Sequence, residues 1–284
     1  MMHKQLFGAL LLALLLTILG CANPKPHYII GVSQCSADIW RDKQNAELRM
    51  GAYCQENVEL RFAAAHDSDE RQVQQIDSLV DSGIDLLIVA PNQLKTISSA
   101  IDRAYDKGIP VIVFERKTNS QKYTSFISAD NYEMGRIMGE YIASRLHGKG
   151  RVMEIMGLKG SSPAIERHNG FADALKNYPD ITVVATLQGD WTEESAVKAV
   201  KAYPGNLDHI DFVFGQNDRM AMGARRALQE SPRNATLSQR EQLTAISHST
   251  AALTVCLVKM AASVWYATAS WMLPISILPM VTKS

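Results

Sequence analysis

A charged pair, Glu115 and Arg116, directly follows the apolar run Val111–Phe114. A carboxylate accepts hydrogen bonds and a guanidinium donates them, so the pair could hold a polar ligand. Glu115 is also the one obvious candidate for a general acid or base if the chain were an enzyme. In open α/β sheets, ligands bind beyond the carboxyl ends of the strands, which is where this pair stands. The alternative is an ion pair exposed to solvent, which would contribute little to stability.

The sequence matches none of the common enzyme, cofactor or metal motifs. The loop Gly157–Ser162 does not fit the phosphate-binding spacing GxxxxGK[ST], and its glycines are better explained by a tight turn. The first strand lacks a following GxGxxG, and neither HExxH nor GxSxG occurs. The four cysteines lack the spacing of a zinc site or a redox CxxC, and His168 is expected at the surface or rim rather than as a base. We therefore predict no catalytic residue, cofactor or metal.

The charged pair ends a predicted strand–helix–strand unit. The apolar runs Leu86–Ala90 and Val111–Phe114 are short, as buried parallel strands should be. Between them, apolar residues recur at helical spacing over 97–104, and Gly108 is expected to end that helix. Because such a crossover is right-handed, both strands should lie in one parallel sheet.

The same alternation continues on both sides of this unit. Further predicted strands are Tyr28–Ser33, Val58–Ala64, Phe126–Ala129, Arg151–Met156, Ile181–Leu187 and Phe212–Phe214. Further predicted helices are Ile39–Asn57, Asp69–Ser82, Asp130–Leu146, Pro163–Tyr178, Thr192–Tyr203 and Met220–Gln229. Two successive series predict an α/β fold of two similar lobes, residues 28–128 and 129–234, with a ligand cleft between them.

Composition sets broad limits. The chain of 284 residues can form one large domain or two lobes. Its apolar content of 46% and charged content of 20% are typical of globular proteins. The net charge of zero gives no support for nucleic-acid binding, which needs a basic face.

The amino terminus predicts export. The basic residues His3 and Lys4 precede an unbroken apolar run, Leu6–Leu16, which is typical of a signal peptide and short for a membrane span. The stretch Ile18–Cys21 resembles a bacterial lipoprotein box, so residues 1–21 are predicted to be a signal peptide with Cys21 as a lipidation site. An uncleaved anchor is the alternative. Residues 22–27 are expected to form a linker.

Five stretches resemble the type I periplasmic sugar-binding proteins, which include ribose-binding proteins and the effector domains of lactose-type repressors. They are VIVFER, ISADN, SSPAIERHNGF, GDW and FVFGQNDRMAMGARRAL, within Tyr28 to about Gln229. The opening GVSQCSADIWRDKQNAELRMG is similar to the sensor domains of hybrid two-component systems in gut anaerobes. The resemblance implies two Rossmann-like lobes with parallel sheets and a sugar between them.

The resemblance also implies the ligand-binding positions. By its pattern, two aromatics cover the sugar ring, an acidic–basic pair holds hydroxyls, and the second lobe adds donors. The matching residues are Ser36, Ala37, Trp40, Glu115, Arg116, Arg167, Trp191 and Asn217. Ala37 lacks the polar group that the family usually carries there. Trp40 could instead be a core anchor, and Asn217 could merely cap a helix.

The last segment, residues 235–284, departs from the pattern. It shows no strand–helix rhythm, and residues 261–281 carry no charge, although Pro274 and Pro279 argue against a regular membrane span. Reading residues 251–284 with the frame shifted back by one base permits a string that resembles the family's missing end. We therefore expect a frameshift upstream of about Ala251, in the gene or in its sequencing.

These observations together predict a periplasmic, non-enzymatic protein. It should bind a monosaccharide, bend near Ser128–Asp130, and present its closed form to a membrane-embedded sensor kinase or permease. A sensor input domain of a two-component system is the first expectation. A lipoprotein that feeds a sugar ABC transporter is the alternative, and a sugar-acting α/β enzyme is the alternative of another class.

Overall fold

The computed structural model describes residues 27–55, 57–207 and 210–230. The chain's first five strands form one parallel sheet in the order β2-β1-β3-β4-β5. They are β1 (Tyr28–Gln34), β2 (Val58–Ala64), β3 (Leu86–Val89), β4 (Val111–Phe114) and β5 (Ser125–Ile127). The helices α1 (Ile39–Tyr53), α2 (Asp69–Asp81) and α3 (Ser98–Asp106) connect the first four strands. We call this unit the first lobe.

Alternate residues of these strands pack on opposite faces, as the pleat of a strand requires. Leu87, Val89, Val111 and Val113 pack with α2 and α3 on one face. Ile88, Ile112 and Phe114 point to the other face, where Leu48 of α1 contacts them. Burial on both faces explains why the strands read as continuous apolar runs.

Two of the predicted helix boundaries have clear local causes. The Asp38 carboxylate caps α1 by accepting from the backbone N–H groups of Trp40, at 2.9 Å, and Arg41, at 3.0 Å. Gly108 follows α3 with φ +82, a left-handed conformation that glycine adopts without strain. Helix α1 ends at Tyr53 rather than at the predicted Asn57.

The second lobe is a three-stranded parallel sheet in the order β7-β6-β8. Its strands are β6 (Lys149–Met156), β7 (Asp180–Gln188) and β8 (Phe212–Gly215). Its helices are α4 (Asn131–Arg145), α5 (Ser162–Leu175), α6 (Glu193–Lys201) and α7 (Asp218–Gln229). Helices α4 and α5 cover one face, where Ile142 and Phe171 pack with Phe214 of β8. Helices α6 and α7 cover the other face, where Val200 and Met220 pack with Ile155 of β6.

Helices α4 and α5 approach each other unusually closely. A Cβ at Gly135 of α4 would lie 2.0 Å from the Arg167 carbonyl oxygen, and a Cβ at Gly170 of α5 would lie 1.9 Å from that of Tyr132. The two glycines therefore allow backbone-to-backbone contact at this crossing. This contact fixes the position of the Arg167 backbone relative to α4.

The α/β fold with parallel sheets, predicted from the sequence, is confirmed. The expectations for the signal peptide, for lipidation at Cys21 and for residues 235–284 fall outside the described residues. Within the described ranges, no helix has the length and apolar character that a membrane crossing needs.

Candidate functional site

The strand ends of the two lobes face each other. In the first lobe, Gln93 follows β3 and Lys117 follows β4; in the second, the loop 157–161 follows β6. The Gln93 side-chain amide donates to the Lys159 carbonyl at 3.0 Å, and the Lys117 backbone N–H donates to Ser162 Oγ at 2.7 Å. The polar residues at the carboxyl ends of both sheets therefore meet in one region, as the topology requires.

Glu115 is held by a buried arginine, Arg41. The Arg41 side chain is 2% exposed and forms an ion pair with Glu115 through Nη1 and Oε2. It also donates to Gln44 Oε1 at 2.7 Å and to Cys35 Sγ at 3.0 Å. Sequence reasoning missed Arg41, because nothing in the pattern of α1 distinguishes an inward-pointing arginine from a solvated one.

Arg116 is also buried, at 5% exposure. Its Nη1 donates to the Asn92 carbonyl at 3.2 Å, whereas its Nε lies 4.0 Å from Glu115 Oε1 and has no hydrogen-bond partner among the described residues. The Glu115–Arg116 pair is therefore not the solvated ion pair that was the alternative. An unpartnered buried donor is costly unless a ligand or water satisfies it.

Asn92 connects the loops of the first lobe and was also missed. Its backbone N–H donates to Gln72 Oε1 at 2.8 Å, and its side-chain amide donates to the Asp67 carbonyl at 3.1 Å and to Asp69 Oδ1 at 2.7 Å. Its Oδ1 has no hydrogen-bond partner in the described part of the chain. The position directly after β3 was the only signal that could have indicated it.

Two carboxylates near the arginines have opposite pKa shifts. Partial burial raises the pKa of Asp67, and the charges of Arg116 and Arg41 only partly oppose this. Burial would also raise the pKa of Asp38, but hydrogen bonds from the Arg41 N–H and the Ser36 hydroxyl outweigh it and lower that pKa. Asp38 is therefore a firmly ionised cap, whereas Asp67 takes up a proton more readily than an ordinary aspartate.

The second lobe contributes Arg167. Its Nε donates to Asn131 Oδ1 at 3.0 Å, and its Nη1 donates to the Gln216 carbonyl at 2.5 Å. Burial lowers the pKa of Arg167, while the charge of Glu115 in the first lobe raises it. Arg167 and Glu115 therefore interact electrostatically across the two lobes.

Trp191 lies between the two arginines. Its ring centroid is 5.9 Å from the guanidinium carbon of Arg116 and 5.6 Å from that of Arg167, within cation–π range. A Cβ at Gly157 would lie 2.1 Å from the ring, so the glycine makes room for it. The indole Nε1 is buried without a hydrogen-bond partner among the described residues. We call Glu115, Arg116, Arg167 and Trp191 the interlobe cluster.

The other predicted site residues have local partners. The Ser36 hydroxyl is buried and donates to Asp38 Oδ2 at 2.8 Å. Asn217 caps α7 by accepting from the Met220 N–H at 2.8 Å, and it donates to the Trp191 carbonyl at 3.1 Å. Ala37 is exposed and Trp40 is half-buried in the first turn of α1. Ligand contacts from these four residues therefore stay predictions.

Backbone strain concentrates in the same region. Six non-glycine residues in the described ranges have positive φ, which is uncommon, and five of them follow strand ends. Those five are His66, Asp67, Glu115, Asp190 and Trp191. Residues held in such conformations often mark a functional site, because the surrounding structure must maintain them.

His168 is half-buried on α5 of the second lobe. Its Nδ1 is 2.7 Å from Oε2 of the fully buried Glu154, whose Oε1 accepts from Gln216 Nε2 at 3.0 Å. Gln216 in turn accepts from the Gly157 N–H at 3.0 Å. This hydrogen-bond network holds Gly157, the first residue of the loop 157–161, against the Trp191 ring. The described residues contain no group of three or more acidic, histidine or cysteine side chains that could hold a metal ion.

Comparisons with known proteins show the family of the chain. A family model described as a periplasmic binding protein domain matches residues 30–256. The xylitol-binding protein of Mycolicibacterium smegmatis is 33% identical over 178 residues, 62% of this chain and 51% of that protein. The galactofuranose-binding protein of Escherichia coli is 28% identical over 210 residues, 71% of this chain and 66% of that protein. The chain thus spans about half the length of the first relative and less than two thirds of that of the second.

Two solved structures have the same fold. The fructose-binding periplasmic domain of a hybrid two-component system is 41% identical with a TM-score of 0.70, and the match covers 72% of this chain and 68% of that one. A galactofuranose-binding protein is 28% identical with a TM-score of 0.68, and the match covers 72% of this chain and 71% of that one.

Proposed function

Because the chain belongs to the periplasmic binding protein family, we propose that it binds a monosaccharide between its two lobes and releases it unchanged. The resemblance to type I periplasmic sugar-binding proteins, noted in the sequence, is confirmed by the family match and by the sugar-binding relatives. The observation that carries the proposal is the interlobe cluster, in which both lobes supply charged donors around one aromatic ring.

The chemistry of the interlobe cluster suits a sugar. Hydroxyl groups both donate and accept, so carboxylate acceptors and guanidinium donors can hold the same ring. The face of a sugar ring is apolar, and Trp191 offers an aromatic surface to cover it. Two buried donors that have no hydrogen-bond partner among the described residues, Arg116 Nε and Trp191 Nε1, would gain acceptors from ligand hydroxyls.

We propose fructose as the first ligand to test. The fructose-binding periplasmic domain is 41% identical to this chain, with a TM-score of 0.70. Other relatives are described as xylitol-binding, galactofuranose-binding and ribose import binding proteins, and one related structure contains arabinofuranose, so the panel should also contain galactose, arabinose, ribose and xylitol. The monosaccharides present the same hydroxyl chemistry in different ring forms, and xylitol presents it on an open chain.

The first proposed role is that of a sensor input domain that reports to a membrane-embedded kinase. The similarity to the periplasmic domain of a hybrid two-component system favours it. The second candidate is a binding protein for a sugar importer, favoured by the similarity to ribose import binding proteins. Deleting the gene separates the two roles, because a sensor's loss abolishes sugar-induced transcription and an importer's loss abolishes uptake of labelled sugar.

We also propose that Cys21 is lipidated and that a frameshift precedes about Ala251. Metabolic labelling with a fatty-acid analogue tests the first, with Cys21→Ala as the unlabelled control. For the second, a frame-restored chain, in which the codons from Ala251 are read in the shifted frame, should bind sugar more tightly than the printed chain. Equal affinities would remove the frameshift from the account of function.

Titration calorimetry with the sugar panel tests the proposed binding. Every binding experiment uses both the chain of the given sequence and the frame-restored chain. Saturable binding of one sugar per chain, with the sugar recovered unchanged, supports it. A reaction product would favour the sugar-acting enzyme instead. Absence of binding by either chain for every sugar in the panel would refute it.

A further inference from the structure

Two residues directly beside the arginines of the interlobe cluster join the lobes without belonging to that cluster. Lys117 follows Arg116 in the chain, and Glu166 precedes Arg167. Lys117 Nζ lies 2.5 Å from Glu166 Oε1, and the Lys117 backbone N–H donates to Ser162 Oγ at 2.7 Å. The side chains of Lys117 and Glu166 are 50% and 23% exposed, so the pair lies at the rim.

A second direct contact lies beside the first. Gln93 Nε2 donates to the Lys159 carbonyl at 3.0 Å, and the Leu94 N–H reaches the Gly160 carbonyl at 3.4 Å. Gly160 has φ +85, and a Cβ there would lie 2.1 Å from Gln93 Oε1. A side chain at position 160 would therefore require Gln93 to move away, which would remove its contact with the second lobe.

These contacts exist only when the lobes are together. We propose that Lys117, Glu166, Gln93 and Gly160 form a lobe latch, which sets the fraction of molecules in the closed arrangement and thereby the sugar affinity, without touching the sugar. The inference rests on the proposed function only because sugar affinity is one of its readouts. Its residues are positioning residues, since they act through the closure that brings Arg116 and Arg167 together.

The latch makes a prediction that a ligand contact does not. The apparent dissociation constant equals the intrinsic constant divided by the closed fraction. A change in the closed fraction therefore multiplies the dissociation constants of all sugars by the same factor. Loss of a ligand contact changes them by different factors, because sugars differ in which hydroxyls they present.

The test replaces Lys117→Gln and Glu166→Gln, singly and together, and measures the affinities of two sugars that bind the unaltered chain. Each single variant should weaken both sugars by the same factor, about two- to fivefold, as expected for a partly exposed ion pair. The dissociation rate should rise with little change in the association rate. The reversed pair, Lys117→Glu with Glu166→Lys, should recover most of the affinity.

The matched control is the pair Lys122–Asp106, which is 2.8 Å apart, half-exposed and confined to the first lobe. Lys122→Gln should leave both affinities unchanged. Different factors for the two sugars would show that Lys117 or Glu166 contacts the ligand, and unchanged affinities in all latch variants would show that no latch operates. Either result overturns the proposal.

A readout without sugar separates this inference from the proposed function. Small-angle scattering of the ligand-free chain at low salt should give a larger radius of gyration for Lys117→Gln/Glu166→Gln than for the unaltered chain or for Lys122→Gln. Equal radii would overturn the latch even if sugar binds. A larger radius in a chain that binds no sugar would support the latch and refute the proposed ligand.

Discussion

The two lobes hold their site arginines in different ways. In the first lobe, Arg41 pairs with Glu115, and Glu115 Oε1 also lies 4.0 Å from Arg116 Nε. In the second lobe, Arg167 donates to neutral acceptors, a side-chain oxygen of Asn131 and a backbone carbonyl, much as Arg116 donates to the Asn92 carbonyl, but it has no carboxylate of its own lobe among the charges that shift its pKa. The carboxylate that opposes the burial-driven lowering of the Arg167 pKa is Glu115, in the other lobe.

This difference assigns different parts to the lobes. The first lobe contains both members of the Arg41–Glu115 ion pair, so this pair can form whether or not the second lobe is near. The second lobe brings the half-buried cation Arg167, whose compensating charge is Glu115 in the first lobe, and a partly desolvated charge without compensation is costly. Contact between the lobes therefore favours the charged form of Arg167, and we call the Arg41–Glu115–Arg116 part of the first lobe the fixed half of the site.

The largest expected effect follows from removing the centre of the fixed half. Arg41→Met should destabilise the protein by about 3–5 kcal/mol, because it leaves the Glu115 carboxylate largely buried without its partner. Urea unfolding followed by circular dichroism measures this change. The matched control is Arg61→Met, whose ion pair with Glu59 is partly exposed, at 35% and 42%, and should cost under about 1 kcal/mol. Equal costs for the two variants would contradict a charge network centred on Arg41.

The second prediction concerns the close helix crossing that positions Arg167. Gly135→Ala should cost about 1–3 kcal/mol and weaken sugar binding, because the added methyl group displaces the backbone at Arg167. Gly51→Ala in α1 is the control, since its Cβ meets nothing within 4 Å and alanine favours a helix. That variant should be neutral or slightly stabilising in the same unfolding experiment. Normal stability and affinity for Gly135→Ala would show that the close helix crossing does not position Arg167.

Sequence patterns predicted the four residues of the interlobe cluster by two different routes. The strand–turn positions of Glu115 and Arg116 followed from a short apolar run, and the family resemblance added Arg167 and Trp191. The structure brings these four together. Such positions are predictable because the ends of parallel strands meet at one edge of a sheet.

What the sequence did not reveal depends on tertiary contacts. Arg41 is a single arginine in an amphipathic helix, and only the packing of α1 against β1 and β4 turns it inward. Asn92 and Asp67 join loops 25 residues apart, which no local periodicity records. The role of Gly135 emerges only when α5 is packed on α4.

The smallest expected effects concern the pH dependence of stability at two aspartates of the first lobe. A lowered pKa means that ionised Asp38 stabilises the fold above its unfolded pKa, and this stabilisation is lost as pH falls through the folded pKa. A raised pKa at Asp67 has the opposite sign, because stability falls as pH rises from the unfolded to the folded pKa. Asp38→Asn should therefore be most costly near neutral pH, and Asp67→Asn least costly there.

Urea unfolding of both variants at neutral pH and at about pH 3, below the ordinary aspartate pKa of about 3.9, checks these signs. A cost for Asp38→Asn that does not shrink on acidification would contradict its role as an ionised cap. A cost for Asp67→Asn that grows toward neutral pH would contradict the effect of partial burial on that carboxylate.

The central claim is that both lobes bind one monosaccharide through the interlobe cluster, and calorimetric titration of an Arg116→Ala variant tests it most directly. With the sugar that binds the unaltered chain, Arg116→Ala should lose at least about 100-fold in affinity, since it removes charged donors from a buried site. Arg103→Ala, which removes a half-exposed arginine of the same lobe, should bind normally. Unchanged affinity in Arg116→Ala would contradict the account.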